Sequence, residues 1–216
     1  MLIPVFNEAG SIRELVERVR RVPLESEIII VDDHSTDRTA AVLSELDMDD
    51  VVVVTHAENR GKGAAVRTAL AVATGDVAVI QDADLEYSPD DFQAMIEPIR
   101  EGLTKVVYGV RDLSYQEPLR RWGNRLLTFA TNLLYGSRLN DMETCYKMVD
   151  LEVMRSLDLR SDGFEIEVEI TAKLLKSHHR IVEVPISYSP RKERKLVPWI
   201  DGPLSFLALI KHRFTR

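Results

Sequence analysis

Asp82, Asp84 and Glu86, three acids at alternate positions, are the residues of this chain best placed to do chemistry. They follow a short apolar run, Val77 to Ile80, with the length and β-branched content of a buried strand. In an extended chain alternate side chains share a face, so continued extension would let the three carboxylates converge. Acids held that close repel one another unless a cation sits between them. Hard divalent ions such as Mg²⁺ or Mn²⁺ take oxygen ligands and keep open positions for phosphate oxygens. An isolated Asp-x-Asp has a plainer reading, since an aspartate ahead of a helix often serves only as a cap. The surrounding pattern decides whether this one is isolated.

The elements that must position these acids read as an alternation. Met1–Val5 is a strand that exits through Pro4, Phe6, Asn7 and Glu8. Ser11 with Glu14 has the pattern of a capping box, and Ile12, Leu15, Val16 and Val19 follow at helical spacing. Glu27–Asp33 is a second strand running into Asp32 and Asp33. Ser35 or Thr36 caps the next helix, with Leu43 and Leu46 on its inner face. Val51–Thr55 is a third strand, and Asn59-Arg60-Gly61-Lys62-Gly63 leads into an alanine-rich helix ending near Gly75. Strand and helix in alternation predict a mostly parallel sheet covered on both faces. Ligands of such sheets bind beyond the carboxyl ends of the strands. Phe6–Glu8, Asp32–Asp33 and Asp82–Glu86 all fall there, so they should line one crevice.

Composition narrows the setting. The chain has 216 residues, 45% hydrophobic and 29% charged, as expected of an ordinary globular protein of one α/β unit with a short appendage. A formal charge of −7 gives no general reason to expect a nucleic-acid partner. A single cysteine, Cys145, forbids an intrachain disulfide and fits a reducing compartment. No stretch approaches the roughly 20 apolar residues that cross a bilayer, and no secretory signal is visible. The expectation is a cytoplasmic protein.

Pro4-Val5-Phe6-Asn7-Glu8, Val31-Asp32-Asp33-His34-Ser35-Thr36-Asp37-Arg38-Thr39, Asn59-Arg60-Gly61-Lys62-Gly63 and Asp82-Ala83-Asp84 occur in the order and spacing of the family 2 glycosyltransferases. Within that family the chain resembles the polyprenyl-phosphate sugar synthases, of which dolichol-phosphate mannose synthase is the best-known type. The resemblance implies an α/β fold of the GT-A type, a divalent metal (Mg²⁺ or Mn²⁺), and inverting transfer of one hexose. The implied donor is a nucleotide sugar of the GDP-mannose or UDP-glucose type, and the implied acceptor a dolichyl or undecaprenyl phosphate. By position, Pro4, Phe6 and Glu8 form one wall of the nucleotide pocket, and Val31 and Asp33 contact base and ribose. Asp82 and Ala83 contact the nucleotide, while Asp82, Asp84 and Glu86 surround metal and diphosphate. The mannose synthases usually carry Gln where this chain has Glu86, which leaves metal use intact and mannose specificity open.

The glycine segment at Gly61 lacks the third glycine of a dinucleotide fingerprint and the ending of a P-loop. A tight turn that lets an alanine-rich helix pack closely is at least as good a reading, and Lys62 is not assigned a catalytic role.

In the second half, Pro89 starts a helix reaching about Arg100, and Lys105–Val110 is a strand delivering Arg111. Glu117–Tyr135 reads as an amphipathic helix mixing Arg120, Arg121 and Arg125 with Leu119, Trp122, Leu126, Leu127 and Phe129. That is either a solvated basic face or one suited to an anionic membrane surface. The resemblance places Arg120 near the acceptor phosphate. Asp141 is a candidate acceptor-side group, and Cys145 reads as a small packed residue. Glu165, Glu167 and Glu169 alternate in a helical stretch, Phe164–Leu175, or form a solvated face. The strand Arg180–Tyr188 empties into a basic run where the resemblance puts Arg191 and Lys195 over the donor diphosphate. Residues 1–112 thus form a nucleotide-sugar half, 113–200 an acceptor-side half and 201–216 a C-terminal amphipathic helix of a single domain.

The chemistry follows from charge. A metal on Asp84, with Arg191 and Lys195, offsets the charge on a departing diphosphate, while Arg111 and Arg120 orient an acceptor phosphate. A lipid phosphate is already anionic and needs no general base, whereas a hydroxyl acceptor does. The expectation is a membrane-peripheral sugar transferase. A family 2 transferase with a hydroxyl acceptor and a non-catalytic nucleotide-sugar-binding subunit stand as alternatives.

Overall fold

The computed structural model describes residues 1–46, 50–191 and 198–215. Three parallel strands, β1 (Leu2–Val5), β2 (Ile28–Asp32) and β3 (Val51–Thr55), pair in the order β1-β2-β3. A second group, β4 (Val77–Val79), β5 (Val106–Arg111), β6 (Lys147–Asp150) and β7 (Ile181–Ile186), pairs as β4-β6-β5-β7. A parallel bridge from Leu2 to Ile80 joins the two groups, with Gln81 N–H donating to the Leu2 carbonyl at 2.9 Å. The spatial order is therefore β3-β2-β1-β4-β6-β5-β7. The sheet is mostly parallel as expected, with β6 the antiparallel member among the described strands.

β2 is buried along its whole length, Ile28 to Asp32, as a central strand covered on both faces must be. Helices α1 (Ile12–Arg21), α2 (Thr39–Ser44), α3 (Lys62–Val72) and α4 (Phe92–Arg100) lie on the faces of the sheet. They are followed by α5 (Pro118–Tyr135), α6 (Leu151–Ser156), α7 (Ile166–Lys176) and α8 (Pro198–Phe214). The fully buried Lys147 of β6 reaches Glu167 of α7 at 2.6 Å and lies over the ring of Tyr108.

Several local expectations change. β4 stops at Val79, and the chain turns through Ala83–Glu86 with Leu85 at φ 61° instead of staying extended through Asp84. No capping box forms: Ser11 makes no side-chain cap bond and donates to Glu8 Oε2 at 2.6 Å, while Glu14 pairs with Arg18. Ser35 and Thr36 do not cap α2, which starts at Thr39; they hold the loop after β1. Glu167 and Glu169 are buried on α7, not solvated. Strand β6 lies inside a stretch that the sequence pattern leaves unassigned, and α8 starts at Pro198, ahead of the expected helix.

Candidate active site

The carboxyl ends of β1, β2, β4 and β5 open on one cleft of about 1250 Å³. Pro4, Phe6 and Glu8 line one wall, as expected. Asn7, at φ 53°, is pinned there because its N–H donates to Ser35 Oγ at 2.9 Å and its side-chain carbonyl accepts from Thr36 N–H at 2.8 Å. Asp33 also borders the cleft, but its carboxylate is already engaged. It accepts the N–H of Arg60 at 2.9 Å and of Gly61 at 2.7 Å, and lies 2.7 Å from His56 Nδ1. It therefore anchors the turn into α3. Val31, in β2, does not line the cleft; its side chain is fully buried in the core.

The turn into α3 requires its glycines. A Cβ on Gly61, itself at φ 92°, would meet the Asp162 carbonyl at 2.4 Å, and one on Gly63 the Ser161 carbonyl at 2.3 Å. Their purpose is close approach of the 161–163 segment. The packing reading of this motif holds, with that segment as the neighbour.

At the acidic end, Asp82, Ala83 and Asp84 all line the cleft. Lys62 Nζ stands 2.7 Å from Asp82 Oδ1 and 3.0 Å from Glu167 Oε1, so Asp82 is largely compensated. Asp84 is not: it accepts the Glu86 N–H at 3.0 Å and forms no ion pair with any described residue. Burial, then the charges of Asp82 and Glu86, push its pKa up to about 7. Glu86 does not complete a three-carboxylate cage. Its oxygens accept from Tyr188 O–H at 2.9 Å and Arg191 N–H at 2.8 Å, clasping the segment after β7 over the cleft. Among the described residues no three His, Cys, Asp or Glu are arranged to hold a metal. Asp82 and Asp84 are the two carboxylates there that could hold one.

The cationic residues take up different tasks. Arg191 reaches Glu8 at 3.0 Å at the rim of the acidic end. Arg111 forms a bidentate pair with the buried Asp141, Nε–Oδ2 2.7 Å and Nη2–Oδ1 2.8 Å, and lies over the Tyr188 ring. Burial opposes its charge, yet Tyr87 and Asp141 hold its pKa well above the ordinary arginine value. Arg120 lines the cleft, 3.5 Å from Glu117, with a buried Nε that makes no hydrogen bond. Lys195 lies outside the described residues.

Helix α5 turns its polarity inside out. Asn124, Leu127, Thr128 and Thr131 are buried, while Leu119, Trp122, Leu126, Phe129 and Leu133 form an exposed stripe spaced three and four apart. Leu204 and Leu207 of α8, which packs on α5, are exposed as well. Leu119, Leu126 and Phe206 reach the mouth of the cleft. Among the described residues no helix is long and apolar enough to cross a membrane.

Sequence reasoning missed the tie from Lys62 to Glu167, the clasp by Tyr188, and the cleft positions of Glu143 and Asn124. A polar residue on the side of α5 opposite its aromatics was the one available signal for Asn124. The others depend on contacts between segments distant in the chain.

Residues 1–157 match the family described as glycosyl transferase family 2, and the chain belongs to it. It is 29% identical over its whole length to glycosyltransferase AglJ of Haloferax volcanii, spanning 72% of that protein. It is 33% identical over 171 residues, 74% of this chain, to an undecaprenyl-phosphate 4-deoxy-4-formamido-L-arabinose transferase of Pseudomonas aeruginosa, of which it spans half. With the UDP-N-acetylglucosamine–dolichyl-phosphate N-acetylglucosaminyltransferase of Methanococcus voltae it shares 30% identity, over 86% of this chain and 83% of that one. The resemblance to polyprenyl-phosphate sugar synthases holds. Among solved structures, glucosyl-3-phosphoglycerate synthase of Mycobacterium tuberculosis with Mn²⁺, UDP-glucose and phosphoglyceric acid superposes with a TM-score of 0.79 at 20% identity. That match covers 99% of this chain and 79% of the other, and the fold is GT-A.

Proposed function

We propose that the chain transfers a hexose, with inversion, from a nucleotide sugar to a polyprenyl phosphate at the cytoplasmic face of a membrane to which it binds peripherally. The observation that carries this reading is the continuity of one cleft. It joins Asp82 and Asp84 to Arg111 and Arg120, and those to an apolar mouth under the exposed stripe of α5. An exposed apolar face of this extent marks an interaction site. With Arg121 and Arg125 on the same helix it suits an anionic lipid surface. Residues 1–112 serve the donor, 113–200 the acceptor with Arg191 lent to the donor side, and 201–216 the membrane-facing helix.

An uncompensated, partly buried Asp84 beside Asp82 is an all-oxygen site short of positive charge, which fits Mg²⁺ or Mn²⁺. Asp82 and Asp84 would hold such an ion, which would supply Lewis-acid neutralisation of the leaving diphosphate. Arg191, poised at Glu8, adds a second positive charge at that end, and Lys195 a third by resemblance. Pro4, Phe6, Glu8 and Ala83 border the nucleotide, and Asp33 holds the Arg60–Gly61 turn against it. Arg120, and the face of Arg111 not bound to Asp141, orient the acceptor phosphate through charge-assisted hydrogen bonds. That phosphate attacks the anomeric carbon opposite the leaving group. It is already ionised, so no proton need be removed.

The test is incorporation of label from UDP-[¹⁴C]glucose or GDP-[¹⁴C]mannose with Mn²⁺ and polyprenyl phosphate. Label should enter the organic phase, be released by mild acid, and vanish with Asp84→Ala. Label appearing only in an acid-stable, hydroxyl-linked product, or binding without transfer, would reject the reading.

A further inference from the structure

The cleft is also lined by polar side chains whose acceptor atoms are incompletely used, Asn124, Glu143 and Glu167. Asn124 is 5% exposed, and its Oδ1 has no hydrogen-bond partner among the described residues. Its Nδ2 donates to Asp141 Oδ1 at 3.2 Å, which fixes the amide so that the free atom is the carbonyl oxygen, an acceptor. Glu143, two residues beyond Asp141, also lines the cleft and makes no hydrogen bond or ion pair with any described residue. Glu167 Oε1, on the same wall, lies near Lys62 but accepts no hydrogen bond. The shared property of the three is spare acceptor capacity at the cleft wall, with Asn124 and Glu167 buried and Glu143 partly buried.

Native structures rarely leave buried acceptors unmet, and those that persist call for an explanation. A ligand rich in O–H donors supplies what this wall lacks. We infer that Glu143 and Asn124 seat hydroxyl groups of the sugar carried by the nucleotide donor. The inference rests on the nucleotide-sugar reading above and deepens it by naming the residues that read the sugar. Both line the same cleft as Asp82 and Asp84, where the diphosphate is proposed to sit, and as Arg111 and Arg120, proposed for the acceptor phosphate. Burial holds the Glu143 carboxyl above its ordinary pKa, against the pull of Arg111 and Lys147, as expected of an acid awaiting a partner. An acceptor is the other source of such hydroxyls, and the test separates the two.

The experiment is titration calorimetry with Mn²⁺ and no acceptor, using UDP, UDP-glucose, GDP and GDP-mannose on the wild type, Glu143→Ala and Glu143→Gln. For the conjugate that the wild type binds, the ratio of its Kd to that of its bare nucleotide should rise at least about tenfold in Glu143→Ala. It should rise less in Glu143→Gln, which keeps an acceptor oxygen, and bare-nucleotide affinity should stay within about twofold. Melting temperature, measured alongside, should not fall, since Glu143 holds nothing in the fold. An unchanged ratio overturns the inference. So does an equal loss for nucleotide and conjugate, which would place Glu143 at the diphosphate. If the wild type binds none of the four, the nucleotide-sugar reading itself fails, a distinct result.

Discussion

Asp84 and Glu169 are both acids withdrawn from bulk water, and their surroundings treat them in opposite ways. Glu169, fully buried on α7, accepts the N–H of Arg160 at 3.0 Å and of Ser161 at 2.7 Å, and pairs with Lys173 at 2.7 Å. Burial works to raise its pKa, but Lys173 and the Ser161 and Arg160 donors outweigh it and bring the value down to about 2. Asp84 has one backbone donor and two acidic neighbours, and its pKa goes up instead. The first carboxylate is finished by the fold and holds the 160–163 segment against Gly61 and Gly63. The second has no such cationic partner among the described residues. A buried charge already matched stabilises the fold, and one left unmatched marks a site.

The contrast breaks most sharply at Asp84. Asp84→Asn should leave the protein folded, with a melting temperature no lower than wild type, while transfer falls about a thousandfold or more. Full activity in that variant would erase the difference between the two acids. At the other pole, Glu169→Gln should cost about 2 kcal/mol of stability at neutral pH, because two backbone donors and Lys173 lose a charged partner. The sign with pH follows from the depressed value: the folded state holds Glu169 ionised where the unfolded chain, with the ordinary 4.5, begins to protonate. The stability gap between wild type and Glu169→Gln is therefore complete above about pH 4.5 and closes as pH falls toward 2. Denaturation curves at pH 7 and pH 3 measure it, and a gap that does not narrow would contradict the assignment.

Smaller effects sharpen the same division between finished and unfinished surfaces. Trp122→Glu combined with Phe129→Glu, both on the exposed stripe of α5, should lower co-sedimentation with anionic vesicles at least about tenfold. Melting temperature should hardly move, since neither side chain is packed. A fall in stability without a fall in vesicle binding would mean that the stripe belongs to the fold. Smallest of all, Ser11→Ala should cost about 1 kcal/mol through its bond to Glu8, and Glu14→Gln almost nothing. Equal losses from both would restore the capping box.

The strand-and-helix alternation was legible because Ile28–Val31 and Val51–Val54 are apolar runs of strand length, each followed by polar turn residues. The meeting of Phe6–Glu8, Asp33 and Asp82–Asp84 was legible for the same reason, since strand ends in a parallel sheet share one edge. What was not legible depends on partners distant in sequence. Nothing near Glu86 announces that Tyr188 and Arg191 will occupy its carboxylate, and nothing near Asp33 announces His56. β6 escaped because a four-residue strand carrying the lysine that pairs with Glu167 has no period to read. The α5 stripe was visible as residues, but only the packed structure shows that its apolar side faces outward.

If Asp84, beside Asp82, holds a metal against a diphosphate as proposed, nucleotide binding must need both the ion and that carboxylate. Calorimetric titration of UDP and GDP into wild type and Asp84→Asn, each with Mn²⁺ and with chelator, measures this. One nucleotide should bind the wild type only with the ion present, and Asp84→Asn should abolish this binding. Binding of equal strength with chelator, or undiminished in Asp84→Asn, would contradict the proposed role.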